Sequence, residues 1–489
     1  MTGTARPQLA LLVSAAGAMI VALDGTVLLM AQPSLGHDLG ATVGQVQWTS
    51  TGYLLAVAAL LVVAGRLGDR YGHLRLLRVG VLGFGATSVG IALAPHVGWV
   101  IGLRTAQGVF GALLQPATLA LLRLAYPAHR LGTPVAVRTS AIAVAAGAGP
   151  VIGGVLVEHF GWRAVFWINL PLALVIAALT LAVRVPAPAP AGSPRPGLAG
   201  AALLALALAL GVHTLGEVPL RGWTAPWTLL GLGAVTGLGA VFVAHERRAT
   251  HPIVPPAVAR SVPVMAAMAL LLVTSGGMFG ALFVATFSLQ DGLRLDPVES
   301  GLQVLPLTAL MILGAPAAGA ALRRYGPRRT AIAGTLLVAL GIAGLSSLSR
   351  IGPAATWQAT GAAFAVLGAG FATVMVTATG AVVGDAPPEY AGVVGGLKQT
   401  AANTGPALGI AVAAGLMGAG PAAVGSVAPP VPGTGSALLT LAGLAALGLA
   451  PACLLPSRPL RPPGHGRTDP AGPGGHQAAS ADLAGPPRG

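Results

Sequence analysis

The chain has 489 residues, of which 54% are hydrophobic and only 8% charged, with a mean hydropathy of +0.79 and a formal net charge of +14. A soluble domain carries about a quarter charged residues, so this composition excludes an ordinary soluble protein. Cys453 is the single cysteine, which excludes an intrachain disulfide and any multi-cysteine metal centre.

Continuous apolar runs of about 20 residues, the length needed to cross a hydrocarbon core about 30 Å thick, recur along most of the sequence. In lipid such runs must be helical, because open backbone groups find no partners there. The runs do not alternate at period two, which excludes a membrane barrel. Spans are expected near 9–31, 48–66, 76–95, 99–122, 135–157, 164–183, 197–215, 225–244, 263–288, 301–322, 330–349, 357–381, 398–418 and 435–455, fourteen in all. The first run follows Arg6 as a secretory leader would, but it is too long and has no small-residue cleavage site, so it reads as the first span. The tail from Pro456 to Gly489 is rich in Pro, Gly and Ala and is expected to be disordered.

With the N-terminus inside, Arg163, Arg221, Arg294 and Arg350 fall outside, Arg104 and Arg138 fall within spans, and the other basic residues collect on the cytoplasmic side. Both termini are therefore expected in the cytoplasm. The basic balance is a topology signal, and no nucleic-acid partner is expected.

Span 1 contains AMIVALDGTVLLM, in which Asp24 is the only acid near the middle of any span. Desolvation disfavours the charged form of a carboxylate, and one that water reaches in turn from either side can take and release a proton. The alternative is a hydrogen-bonded acid that ties spans together. The loop after span 2, GRLGDRYGHLR, reads as a tight turn: Gly65 and Gly72 let two helices approach, and Asp69 with Arg70 and Arg75 makes a charge latch at the helix ends. Span 4 holds LRTAQGVFGALLQP. Arg104 at membrane depth must be paired or face water, unless it snorkels to the headgroups. Span 5 holds AAGAGPVIGGVL, where Gly149, Gly153 and Gly154 allow close packing and Pro150 bends the helix.

The Pro-rich RVPAPAPAGSPRP (184–196) and the polar HERRATHPIVPPAVAR (245–260) border spans 7 and 8. Beyond them the motifs return. GAALRRYGPRR after span 10 repeats Gly, Arg, Tyr, Gly and Arg of the first loop 254 residues on, and NTGPALGI in span 13 repeats the Gly-Pro pair of span 5 256 residues on. That offset crosses eight spans, whereas a duplicated six-helix unit repeats after six, so two helices are inserted between the halves. Arg323 stands where the first loop has Asp69, and TGAAFAVLGAG in span 12 carries no charge, which confines proton chemistry to the first half. His213 reads as packed or near the outer surface, and Lys398, the only lysine, as an inside anchor.

Together these motifs resemble the major facilitator superfamily, and within it the fourteen-helix drug:proton antiporters; the resemblance covers all fourteen spans and leaves out the tail. It implies an all-α membrane protein of two six-helix pseudo-repeats, 1–183 and 263–455, separated by a linker with two inserted helices, 184–262, and followed by the tail, 456–489. It implies proton coupling at Asp24 and Arg104 and a cytoplasmic gate at Gly65, Asp69, Arg70, Gly72 and Arg75. The exporter pattern falls on Gly149, Pro150, Gly153 and Gly154, with Ala145 where the pattern has its first glycine. Spans 1, 4, 9 and 12 would line a central cavity, nominating Gln115, Thr274, Ser275, Phe279, Phe283, Met375 and Thr377, for each of which ordinary helix packing is the competing reading. The expected function is proton-driven export of small amphiphilic compounds such as antibiotics by a monomer in the cell membrane, without catalysis, metal or cofactor. The absence of a GxxxxGK[ST] loop argues against ATP drive. A single carboxylate at membrane depth and 4% aromatics favour neutral, anionic or singly cationic cargo over dications. Uptake by proton symport is the alternative, and an integral membrane enzyme a further one that the scattered acids disfavour.

Overall fold

A computed structural model describes residues 7–127, 130–183, 198–249, 252, 256–346, 353–385, 391–418 and 434–457. The Pro-rich 184–196 link, Arg350 and the tail beyond residue 457 lie outside the described residues. The helices are α1 (Pro7–Asp38), α2 (Val43–Tyr71), α3 (His73–Ala92), α4 (Val97–Ala125), α5 (Gly132–Phe160), α6 (Ala164–Trp167), α7 (Asn169–Ala182), α8 (Leu198–Arg221), α9 (Pro226–Arg248), α10 (Pro256–Ala259), α11 (Val262–Phe287), α12 (Pro297–Leu345), α13 (Pro353–Asp385), α14 (Ala391–Gly418), α15 (Thr434–Ala446) and α16 (Leu449–Leu454). Among the described residues there is no strand.

Eleven described helices are long and apolar enough to cross a membrane, and Ala202–Val218 within α8 is a shorter apolar helix. The chain is a multi-pass membrane protein. α12 runs for 49 residues but consists of two helices joined across a kink, which match spans 10 and 11. At about 1.5 Å per residue it would be far longer than a bilayer is thick. It folds back at Gly326, whose φ of 81° interrupts the helical dihedrals. Leu307 before the bend and Gly341 after it both lie against the Leu367–Gly368 stretch of α13.

Local chemistry sets the helix ends. Thr42 opens α2 and Asp296 opens α12 with capping boxes, in which Gln45 and Glu299 each accept from the cap backbone N–H. Gly72, between α2 and α3, takes φ 95°, the left-handed region that glycine enters without strain. Gly326 stands 254 residues further on in the matching loop and does the same, so the repeated loops share backbone conformation as well as sequence.

Helix contacts repeat between the halves. On α5, Gly149 abuts Thr26 and Gly153 abuts Val27 of α1; on α14, Gly405 abuts Leu272 and Ser275, and Gly409 abuts Gly276, of α11. Gly108 of α4 meets the Tyr53 carbonyl of α2, and Gly368 of α13 meets the Leu307 carbonyl of α12. In each case a β-carbon would overlap backbone or side-chain atoms of the neighbouring helix, so only glycine permits the approach.

The halves join unevenly. At the end remote from the basic loops, one apolar cluster runs from Val27–Leu35 of α1 into Met278–Leu289 of α11 and its extension. There Gly154 abuts Pro297, Gly301 abuts the Pro150 carbonyl, and Gln290 Nε2 donates to the Met30 carbonyl at 3.1 Å. His37 and Asp291 stand 3.4 Å apart across the same seam. Toward the basic loops the apolar cores are distinct, one around Val57, Leu77 and Leu121, the other around Val264, Leu271 and Val382, with Val62 of α2 packed against the second and Thr400 of α14 donating to the Ala58 carbonyl of α2. One continuous core thus joins the halves at the far end, and separate cores fill them toward the basic loops. Of the two inserted helices, α8 lies over the seam between α2 and α14, with Val212 packed on Leu55, Ala407 and Ala411, and α9 packs on α8.

The glycine contacts predict a stability difference. Gly409→Val, which drives a side chain into the Gly276 carbonyl, should destabilise by about 1–3 kcal/mol. Gly443→Ala, where nothing lies within 4 Å, should not. Thermal unfolding of the purified protein in detergent reads both.

Candidate functional site: a buried ion pair in the first half

Asp24 is 3% exposed and Arg104 1%, and Arg104 Nη1 donates to Asp24 Oδ2 at 2.6 Å. The acid is therefore paired rather than isolated, and it points into its own bundle. Five elements place the surrounding groups. From α2, the Thr49 carbonyl accepts from Arg104 Nε at 2.9 Å, and the guanidinium lies over the Tyr53 ring, 4.5 Å from its centroid. From α4, one turn past Arg104, Gln107 Oε1 accepts from Nη1. From α6, the Phe166 ring stands 5.8 Å away. From α7, Asn169 Nδ2 donates to Asp24 Oδ1 at 2.9 Å, and from α3 the Ser88 hydroxyl accepts from Gln107 Nε2 at 2.7 Å. Asn169 Oδ1 and the Tyr53 hydroxyl are buried without a partner.

Such an environment is what a charge pair needs at membrane depth, since both ions lose water and every lone pair must be met by the protein. It also holds a reserve. Besides Asp24, Arg104 has the Thr49 carbonyl, Gln107 and the Tyr53 ring as partners.

The second half shows the same packing without charge. By the glycine contacts above, Tyr53 corresponds to Leu307, Arg104 to Phe364 and Gln107 to Leu367; by the loop offset, Ser88 corresponds to Ile342. All four are buried hydrophobic residues. Val273 stands where Asp24 does, two residues before Ser275, as Asp24 is two before Thr26.

The loop residues lie apart from the pair. Asp69 meets His73 Nε2 at 3.0 Å rather than an arginine of the loop. Arg70 lies over the Tyr71 ring, Arg75 is exposed, and Gly65 faces Pro116 of α4. Arg66 reaches further, donating from Nη2 to the Pro252 carbonyl at 2.9 Å. Pro150 sits within an unbroken α5. Among the residues nominated for the cavity, Thr274, Ser275 and Thr377 are fully buried and bond the carbonyls of Leu270, Leu271 and Thr373 on their own helices. Phe283 is buried with its ring 5.0 Å from that of Phe287, while Gln115, Phe279 and Met375 are half-buried. Tyr53, Ser88 and Asn169 were not singled out by sequence: Tyr53 follows the polar Thr49-Ser50-Thr51, Ser88 adjoins Thr87, and only Asn169 carries a hint, an amide at a span entrance in WINLP.

Two pseudo-equivalent six-helix halves, joined by a continuous core at one end and carrying an asymmetric buried charge pair, are the build of a membrane transporter. The Major Facilitator Superfamily model matches residues 14–410, and the chain belongs to that family. It is 41% identical over 415 residues to the tetracenomycin C resistance and export protein of Streptomyces glaucescens, covering 84% of this chain and 76% of that one. It is 32% identical over 405 residues to the probable actinorhodin transporter of Streptomyces coelicolor, covering 80% and 69%, and 29% identical over 411 residues to the multidrug efflux pump LfrA of Mycolicibacterium smegmatis, covering 83% and 80%. Among solved structures, the peptide transporter POT in complex with sulfate matches with a TM-score of 0.63 at 16% identity, covering 92% of this chain and 94% of that one. The inward-open xylose transporter XylE from E. coli matches with a TM-score of 0.58 at 16% identity, covering 92% and 96%. At these identities the two structures speak for the fold alone.

The pairing predicts a double-mutant result. Arg104→Gln leaves a buried carboxylate uncompensated and should destabilise by about 3–5 kcal/mol. Asp24→Val combined with Arg104→Phe copies the second half and should return to within about 1 kcal/mol of the parent, as apolar replacement of a buried pair often does. Unfolding midpoints of the purified variants test it.

Proposed function

We propose that the protein is a drug:proton antiporter of the cell membrane, in which inward proton flow drives export of small amphiphilic compounds such as antibiotics. The observation that carries this reading is the buried Asp24–Arg104 pair with its alternative partners already in place. The export of antibiotics and other drugs by its relatives supports the direction. Fourteen spans with both termini in the cytoplasm put the basic loops on the cytoplasmic side. The energy source is the proton gradient, with no cofactor, and a single chain suffices.

In this reading the halves 1–183 and 263–455 rock about the site. Protonation of Asp24 removes the ionic tie between α1 and α4 while Arg104 stays satisfied. Thr26, two residues on, is the side chain against which Gly149 of α5 packs. Gly154, on the same helix, abuts Pro297 of α12 in the other half. A shift of α1 is thereby passed through α5 to the seam that seals the outer end. Solute uptake by symport would use the same parts in the opposite sense.

Dye efflux from energised cells lacking their own pumps separates these readings. Asp24→Asn should insert and fold like the parent yet lose at least about 90% of proton-driven efflux, the size expected when an essential proton carrier is removed. Efflux that survives in Asp24→Asn, or that persists in the parent after a proton uncoupler, would count against the proposal. Dye accumulation in place of extrusion would establish uptake.

A further inference from the structure

The two inserted helices hold a polar cluster that the export reading does not use. On α8, His213, Glu217 and Arg221 recur every fourth residue and so share one face. Arg221 Nε donates to Glu217 Oε2 at 2.9 Å. With residues of α9 they line a groove of about 310 Å³, near the lower end of the ~300–1,000 Å³ typical of ligand sites. Thr214, buried against Gly231 of α9, closes its floor.

The groove opens toward lipid, at the end where one core joins the halves. Val212 packs on Ala407 and Ala411 of α14, and Gly216 approaches the Ala411 carbonyl, so α8 runs alongside α14 in the same direction. Met417, further along α14, belongs to the joining core, and Arg221 is carried to the same end. Val212 is buried against the bundle, whereas His213, Trp227 and Leu230 along the groove are exposed. Trp223 and Trp227 beside its mouth have the placement that aromatic side chains take where a bilayer meets water.

Polarity falls with depth along the groove. Arg221, Glu217 and Trp227 stand at the mouth, His213 lies eight residues or roughly 12 Å below Arg221, and Leu210 and Ala234 line the inner end. Among the described residues His213 has no hydrogen bond or ion pair. An imidazole bared at that depth is costly unless a polar group meets it. The Glu217–Arg221 bond leaves Glu217 Oε1 and both Arg221 Nη groups without partners among the described residues. These demands suit one kind of molecule: paired opposite charges at one end, hydrogen-bond acceptors below them and hydrocarbon beyond.

We propose that the groove between α8 and α9 binds one phospholipid of the adjoining leaflet, a lipid with a phosphoethanolamine headgroup. Its ammonium donates to Glu217, its phosphate accepts from the planar fork of Arg221, and an ester carbonyl accepts from His213. The imidazole keeps an N–H donor whether or not it is protonated. One acyl chain lies along Leu210 and Leu230. A phosphocholine headgroup has no N–H and a phosphoglycerol headgroup no cation, so either leaves Glu217 unmet. Because α9 packs mainly on α8, a lipid seated between them also fixes α9 in place. The site does not depend on the direction of transport.

The test titrates the purified full-length protein, in a neutral maltoside detergent, with phosphatidylethanolamine, phosphatidylcholine and phosphatidylglycerol of identical chains, and reads the lipid adducts by native mass spectrometry. The unaltered chain should bind phosphatidylethanolamine at least about fivefold more tightly than either of the others. Glu217→Gln should erase that preference, and Arg221→Gln should weaken all three lipids by about tenfold. His213→Leu should weaken them by about threefold without changing their order. Equal affinity for the three lipids, a lead by either of the other two, or a preference that survives in folded Glu217→Gln each overturns the site. So does displacement of the bound lipid by phosphoethanolamine free in solution, which would mark the occupant as a soluble amine phosphate. The lipid comparison uses the unaltered chain, so it decides the matter even where a variant does not fold.

Discussion

One contact between a guanidinium and a carboxylate governs how the first half is put together. Neither Asp24 nor Arg104 retains water, so each must draw its remaining hydrogen bonds from the protein. That demand explains why helices otherwise made of hydrocarbon each bring a polar group to the same depth: the Thr49 carbonyl from α2, Ser88 from α3, Gln107 from α4 and Asn169 from α7. The second half satisfies the same packing with Leu307, Ile342, Phe364 and Leu367. One bundle holds a charged core, the other an apolar one. A duplicated architecture has thereby become asymmetric at its centre, with an ion pair on one side and hydrocarbon on the other.

Glycine makes that asymmetry mechanically useful. Where α5 meets α1 and α12, the contacts are backbone-close, at Gly149, Gly153 and Gly154, so little side-chain compliance intervenes between the pair and the outer seam. Packed interiors respond to small shifts by choosing between arrangements rather than deforming smoothly. The same closeness makes these positions intolerant of larger residues, independently of any role in coupling.

Much of the architecture was legible because the bilayer imposes a length. The helices fall where the apolar runs do, and the repeated loops by themselves expose the two extra helices. The bend at Gly326 was legible as a loop, and its φ of 81° separates the two arms of α12 that answer to the two expected elements. What the pattern could not convey was who touches whom. Asp24 and Arg104 are 80 residues apart, and nothing in the spacing distinguishes an acid alone in lipid from one facing an arginine on another helix. Ser88 and Tyr53 look in sequence like any small or aromatic residue in a span. Asp69 finds His73 instead of an arginine because the i,i+4 spacing brings that ring within reach across the turn. The hydroxyls of Thr274, Ser275 and Thr377 turn back to their own helices, a choice open to any Ser or Thr in a helix and unreadable from composition.

The inserted helix α8 bears on a different matter, the route by which fat-soluble molecules meet the protein. Two seams run between the halves, one along α2 and α14, the other along α5 and α12. The first is roofed by Val212 and its neighbours on α8. Along the second, Val137 and Val144 of α5 and Ile312 and Leu313 of α12 remain exposed. The inserted pair therefore leaves the two seams unlike each other toward the bilayer, one covered by helix and the other bare.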